Sequence, residues 1–538
     1  MSLTFSGPHG ETISPSPVVH THLGPIQGLI VDDVHRYLGI RYAAAPVGRL
    51  RFKPPVDPAP WRDVQEAIHY GAPAIQGIRG PETAPTSDFA LTQLVSMPVG
   101  GHVKVNNEDC LYLNVWTPGT DDGKRPVLVW FHGGGFAYGA GSEPMYEGTR
   151  LARRGDAVIV TVNHRLNLFG YMNLTGTHPH YADAVNVGAL DLIHALKWVK
   201  QNIGLFGGDP ENVTIAGESG GGAKVNDMLA MPAAQGLFHK AIIQSGARPD
   251  VHEGDQTRAD SLAILRSAGV EDITPERLAT ILPHELLNAG LVEFTDEGPG
   301  TAQFRDARSL TEDLAQRLGN TVDGSVLPAH PFIDGPPEFA SEVPAMIGWT
   351  KDEWNLMLVE REPDFVNMTE QELNEGATRL FGASAPEIVA AFKHAFPGYS
   401  PGHLSSALVT VGAIRRFKEI ADLKAQDPAP VYCYQLCWES PVNEGIYRAS
   451  HALDLPLMFD NVENARSFVG PGTAPQRVAD QMADAWLAFM RNGSPNHPGI
   501  PEWEPWSADT RATLMFDVES VVENNPYGDL DELMSRAE

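Results

Sequence analysis

Three continuous apolar runs punctuate the first half of the chain: PVLVWF (126–131), AVIVTVN (157–163) and VTIAG (213–217). Each has the length of a strand and no polar alternation, the pattern of a strand buried on both faces of a parallel sheet. Between the second and third, Leu192, Leu196, Val199 and Ile203 recur at i, i+4, i+7 and i+11, which predicts a helix with one apolar stripe. Strand, crossover helix and strand in succession imply an α/β sheet with helices on both faces. AIIQSG (241–246), AMIGWT (345–350) and VYCYQLCW (431–438) read as later strands of the same sheet. Val478, Met482, Trp486 and Phe489 mark another amphipathic helix, closed by Asn492-Gly493. The stretches 76–106, 251–320 and 355–425 carry weaker periodicity and more polar turns, and are expected to be excursions that roof an active site. Residues 1–17 are polar and Pro-rich and are expected to form a flexible N-terminal segment. With no internal repeat and no linker, residues 18–538 are expected to form a single domain.

Composition narrows the function. A chain of 538 residues with 42% hydrophobic positions can bury a large core, which excludes wholesale disorder. Its 52 Gly and 43 Pro indicate many tight turns without reaching low complexity. A net charge of −29 repels phosphate backbones and anionic lipid, so neither nucleic acid nor a membrane is an expected partner. No run approaches the roughly 18 apolar residues of a membrane helix. The opening MSLTFSGPHGETISPSP lacks the basic start and apolar core of a signal peptide. Only Cys110, Cys433 and Cys437 are present, an odd and sparse set that points to a reducing, cytoplasmic setting. Cys433 and Cys437 fall on one face of a strand roughly 13 Å apart, too far for a disulfide.

Candidate chemistry begins at Gly217-Glu218-Ser219-Gly220-Gly221, which follows the strand VTIAG and leads into a short helical stretch, AKVNDMLAM. In that setting Ser219 sits on a tight, strained turn with its hydroxyl exposed and glycines where side chains would clash. The helix N-terminus then offers backbone N–H groups to a developing oxyanion. His132-Gly133-Gly134-Gly135-Phe136 ends the strand PVLVWF, and three glycines there leave amides bare and reachable, the requirement for an oxyanion hole. Either motif alone also describes an ordinary glycine-rich turn. Paired in this order, they point to a serine nucleophile beside an oxyanion hole.

Longer signatures surround these motifs: Gly39-Ile40-Arg41-Tyr42-Ala43, PVGRLRFKPP, the run from Glu108-Asp109-Cys110 to Trp116, Asn163-His164-Arg165, FGGDPENVTIAGESGG (206–221), Gln244-Ser245-Gly246 and the helix ending AWLAFMRNGSPN. Through them the chain resembles the type-B carboxylesterases, relatives of the cholinesterases in the α/β-hydrolase superfamily, from about residue 18 to 517. The resemblance implies an α/β-hydrolase fold, with a large, mostly parallel central sheet, helices on both faces and excursions over the active site. It also supplies residues that 19 His and 68 acidic residues could not single out. The acid of the triad would be Glu353 in Lys351-Asp352-Glu353, with Asp352 as the substitute, and the base His451 in Ser450-His451-Ala452. The order Ser219, Glu353, His451 is that of α/β-hydrolases. By the same resemblance the amides of Gly134, Gly135 and Gly220 would bind the oxyanion. Arg51–Glu108 and Arg165–Asp191 would be buried ion pairs, and Ser245 a hydrogen-bonder beneath the triad. Glu218 would either tune His451 or hold a buried water. Lys224 stands where the family usually has a small residue, implying a buried partner such as a carboxylate.

Three departures matter. The cysteine that pairs with Cys110 in secreted relatives is Ala74 here, so that disulfide is absent. No Trp lies between Trp61 and Trp116, where cholinesterases stack a quaternary ammonium, so choline esters are not expected substrates. Gly220 stands where Ala is commoner. The expected protein is a serine carboxylesterase that forms an acyl-enzyme on Ser219, acts broadly on small-molecule esters and needs no cofactor or metal. Its triple-glycine loop, with a methyl missing at Gly220, implies tolerance of bulky alcohols. A monomer or homodimer is expected. A carbamate or amide hydrolase would use the same triad, and a non-catalytic binding protein of this fold is the remoter alternative.

Overall fold

The computed structural model describes residues 5–6, 11–76, 106–293, 317–361 and 365–537. It divides into two compact units, one built from the described residues up to Ile242 together with Pro249–Val343, the other from Ile243–Arg248 and Pro344 onward.

In the first unit, β1 (Thr12–His20), β2 (Pro25–Val31), β3 (Val34–Arg41) and β4 (Tyr112–Thr117) form an antiparallel set. β5 (Arg125–Phe131), β6 (Val158–Val162) and β7 (Gly208–Glu218) continue the sheet, in the order β1-β2-β3-β4-β6-β5-β7. β6 pairs antiparallel with β4 (Leu113 opposite Val162) and parallel with β5 (Val127 opposite Val158), and β5 is parallel to β7. β6 is buried along its whole length and β5 from Pro126 onward, which is why both read as unbroken apolar runs. The crossover to β7 carries α1 (Val187–Asn202), whose Leu192, Leu196 and Val199 are buried. Directly after β7 comes α2 (Gly220–Met228).

Fraying was expected for residues 1–17, and the structure corrects this for residues 12–17. They belong to β1 and pair with β2, with a register shift between Pro15 and Val18. Proline cannot donate to a ladder, so an irregular strand is the form this Pro-rich segment can take.

After the fully buried β8 (Lys240–Gln244), the second unit carries β9 (Ala345–Thr350), β10 (Val431–Leu436), β11 (Ala512–Phe516) and β12 (Val521–Asn524). They run in the order β9-β10-β11-β12, the first three parallel and β12 antiparallel. α3 (Pro401–Lys424) lies between β9 and β10 in the chain, and α4 (Ala474–Asn492) precedes β11. α4 buries Val478, Met482, Trp486 and Phe489 and stops at Gly493, whose φ of 79° is left-handed and whose amide donates to the Phe489 carbonyl.

Of the expected excursions, 77–105 and 294–316 lie outside the described residues, as do 362–364. Residues 254–267, 275–280 and 283–293 are helical, and Ile264, Leu265, Leu278 and Leu286 join one apolar cluster with Phe136 and Ala223. Residues 370–381, 385–395 and α3 build a separate cluster around Leu373, Ile388, Phe392 and Leu404. Arg51 pairs with Glu108 at 2.6 Å and donates to the Ile281 carbonyl, and Arg165 pairs with Asp191 at 2.7 Å.

Cys110, Cys433 and Cys437 are free. Burial pushes all three thiols up, that of Cys437 to about 12, so the native thiolate population is small. Alkylation under denaturing, non-reducing conditions should therefore count three thiols by intact mass, and reductant should leave Tm unchanged. A count of one would contradict the structure.

Candidate active site

Ser219 lies between β7 and α2 with φ 56° and ψ −123°, a conformation that a non-glycine residue adopts only where its surroundings impose it. Its surroundings are backbone. A Cβ on Gly217 would lie 2.4 Å from the Gly221 carbonyl carbon, and one on Gly221 would lie 2.0 Å from the Phe131 oxygen. The start of α2 is thus pressed onto the end of β5, and the serine is held at the corner. Glycine is required at both positions by close backbone approach.

The loop His132–Phe136 locks into this corner. A Cβ on Gly133 would come 3.6 Å from the Ser219 Cβ and 3.1 Å from Oε2 of the buried Glu218. A Cβ on Gly220 would fall 2.1 Å from the Gly135 oxygen. This corrects the expectation that Gly220 opens space for the alcohol of a substrate: the room left by the missing methyl is filled by Gly135 backbone.

Gly134 and Gly135 have φ of 85° and 63°, and their carbonyl planes are fixed in turn. Burial pulls His132 down to about 3, with the Lys224 charge adding to it, so its ring is neutral. With its proton on Nδ1 it donates to the Gly133 oxygen at 2.9 Å. The Gly134 oxygen accepts from Ala137 N at 3.3 Å and Tyr138 N at 3.2 Å. In a trans peptide the following N–H points opposite to the carbonyl, so anchoring these two oxygens turns the Gly134 and Gly135 amides the other way. Among the described residues, neither amide donates to a backbone carbonyl. Lys224 reaches into the loop: its Nζ donates to the Gly135 oxygen at 2.7 Å and the His132 oxygen at 3.4 Å.

In the second unit, His451 Nδ1 lies 2.5 Å from Glu353 Oε2. The other carboxylate oxygen accepts from Thr350 N at 2.8 Å and from Ser245 Oγ at 2.6 Å. Ser245 is itself anchored by its amide on the Gly348 oxygen of β9. Thus Glu353, not Asp352, meets the imidazole. Asp352 turns away: its Oδ1 accepts from Tyr399 OH at 2.8 Å and its Oδ2 from Ala449 N at 3.3 Å. Its own amide donates to the Ala449 oxygen, so the residue clasps the segment that leads into His451. Sequence reasoning missed the parts played by Thr350 and Tyr399, which no local motif marks.

Burial lifts the Asp352 carboxyl from its ordinary 3.8 to about 6. The native state therefore holds this proton more tightly than the unfolded chain does, and the contribution of the group to stability declines as pH rises from about 4 to about 6. Asp352→Asn has no proton to lose and should lack that decline. Urea denaturation of both proteins across this window measures it, and parallel pH profiles would contradict it.

The sequence family described as the carboxylesterase family matches residues 15–531. The para-nitrobenzyl esterase of Bacillus subtilis (strain 168) is 34% identical over 514 residues, covering 95% of this chain and 96% of that one. The phenmedipham hydrolase of Pseudarthrobacter oxydans is 32% identical over 518 residues, 93% of this chain and 94% of that one. A crystal structure of a Geobacillus stearothermophilus carboxylesterase superposes with a TM-score of 0.79 at 36% identity, covering 96% of this chain and 100% of that one. The chain accordingly has the α/β-hydrolase fold, a large, mostly parallel central sheet flanked by helices. Among the described residues, no helix is long and apolar enough to cross a membrane.

Proposed function

This chain belongs to the carboxylesterase family and is a carboxylic ester hydrolase; on that premise we propose that it works through an acyl-enzyme on Ser219. Ser219 Oγ attacks the ester carbonyl as His451 takes its proton. Glu353 holds the imidazole in the tautomer that leaves Nε2 free to accept, and stabilises the imidazolium that forms. The amides of Gly134, Gly135 and Gly220 bind the oxyanion of the tetrahedral intermediate. His451 returns the proton to the departing alcohol, then draws one from the water that hydrolyses the acyl-enzyme. What carries the reading is the strained Ser219 turn interlocked with a glycine loop whose amides are turned away from their anchored carbonyls. The Glu353–His451 pair supports it from the second unit.

Substrates are small esters, including those of hindered alcohols, because the loop carbonyls are anchored elsewhere and leave space beside the ester oxygen. A panel varying acyl and alcohol parts separately tests this. Hydrolysis of tert-butyl acetate should be slower than that of ethyl acetate yet above background. Hydrolysis of p-nitroanilides at rates comparable to p-nitrophenyl esters would move the reading to an amide or carbamate hydrolase.

Gly220→Ala should lower kcat on ethyl and tert-butyl acetate alike. The added methyl displaces the Gly135 backbone and disturbs the oxyanion site for every ester, at a cost approaching the roughly 10²–10³ of losing a donor. A loss confined to the hindered ester would restore the view that Gly220 shapes the alcohol pocket.

A further inference from the structure

We propose that Lys224 is the positioning residue of the oxyanion loop: its buried side chain holds the His132 and Gly135 carbonyls and so fixes the two peptide planes that bracket those carrying the Gly134 and Gly135 amides. The proposal rests on the reading of Ser219 and the glycine loop as nucleophile and oxyanion hole.

The Gly133 and Gly134 carbonyls set where the Gly134 and Gly135 amides point, and the Gly135 carbonyl fixes the next peptide plane, at the end of the run. His132 Nδ1 holds the Gly133 oxygen, and the Ala137 and Tyr138 amides hold the Gly134 oxygen. Those anchors belong to the loop and its immediate continuation. The Gly135 oxygen is anchored from outside, by Lys224 Nζ on α2 at 2.7 Å. Glycines pass readily between positive and negative φ, so a Gly-Gly-Gly run does not fix its own peptide planes. The same Nζ accepts a second task at the start of the loop, donating to the His132 oxygen at 3.4 Å, and stands 4.9 Å from the ring centroid of Phe136 at its end. One side chain therefore clamps both ends of the glycine run.

Gly220 completes the device. Residues 220 and 224 are i and i+4 on α2 and share one face of the helix. At Gly220 the absent Cβ lets the Gly135 backbone settle onto the helix, and one turn later Lys224 ties that carbonyl down. Filling space does not explain a lysine here, since a methionine would fill similar volume without the cost of burying an ammonium. Hydrogen bonds to loop carbonyls do explain it.

The test compares parent enzyme, Lys224→Met and Lys224→Arg. Competent sites are counted by fluorophosphonate titration, and kcat is expressed per titrated site. Inhibition is measured with a trifluoromethyl ketone, to whose carbonyl carbon Ser219 Oγ adds so that the carbonyl oxygen becomes an oxyanion, and with the matching methyl ketone. In Lys224→Met, kcat per titrated site should fall about 10- to 100-fold, less than the roughly 10²–10³ of deleting a donor, with little change in KM. Trifluoromethyl ketone affinity should fall by the same factor, methyl ketone affinity should hold, and Lys224→Arg should recover part of both losses. If Lys224→Met does not fold, Lys224→Gln is read in the same way. A variant that loses only Tm or the number of titratable sites, with kcat per site and ketone affinity unchanged, would overturn the proposal and leave Lys224 as scaffold. A parent enzyme that takes no label at Ser219 would instead overturn the reading beneath it.

Discussion

Ser219→Ala is expected to lower kcat by about 10⁴- to 10⁶-fold while leaving the fold intact. The fold survives because the hydroxyl does no structural work: Ser219 occupies the N-cap of α2, yet its side chain makes no capping hydrogen bond. Its strained φ is imposed by the backbone contacts of Gly217, Gly220 and Gly221, none of which the substitution touches. The chemistry does not survive, because no other atom can form the acyl-enzyme. Kinetics on p-nitrophenyl acetate and a thermal melt read the two halves of this expectation. A variant with kcat near the parent's would mean that the nucleophile lies elsewhere, with Ser245 the first serine to examine.

Glu353→Gln should cost nearly as much, on the order of 10⁴ in kcat. The geometry says why an isosteric change is so damaging. Glu353 Oε1 accepts from both Thr350 N and Ser245 Oγ, so the oxygen of a glutamine would take that place. Its NH₂ group would then face His451 Nδ1, which must give up its proton and become an acceptor. That leaves the imidazole proton on Nε2, the atom required to receive the proton of Ser219. Asp352→Asn should stay within about tenfold of the parent, because an asparagine oxygen can still accept from Ala449 N while Tyr399 OH reverses its role. Effects in the opposite order would show that the acid is one residue earlier in the chain.

The parts of the fold that could be read from sequence are those in which one physical effect dominates. β5 and β6 are buried along almost their whole length and α4 along one continuous face, so their apolar patterns are unambiguous. β1 has no such run, because it is an antiparallel strand with one wet face and prolines at positions 15 and 17. β2 and β3 alternate buried with half-buried positions, and the apolar run of the buried β4 is interrupted by Asn114. The helices between 370 and 424 read weakly because they pack into a cluster apart from the sheet, around Leu373, Phe392 and Leu404. At the site, Ser219 and the glycine loop were legible because strained turns demand glycine at fixed offsets. Glu353 and His451 are 98 positions apart, and only resemblance could pair them. The place of Gly220 was misread for a related reason: a missing methyl announces space, and sequence alone does not say that the Gly135 backbone occupies it.

The central claim is that ester hydrolysis proceeds through covalent attachment at Ser219, and adduct mapping tests it most directly. The parent enzyme is inactivated with a fluorophosphonate, with and without excess ester substrate, then digested and its peptides weighed. One adduct per chain is expected, on the peptide carrying Ser219, slowed by substrate and absent from Ser219→Ala. Complete inactivation with the adduct on any other residue would contradict the account.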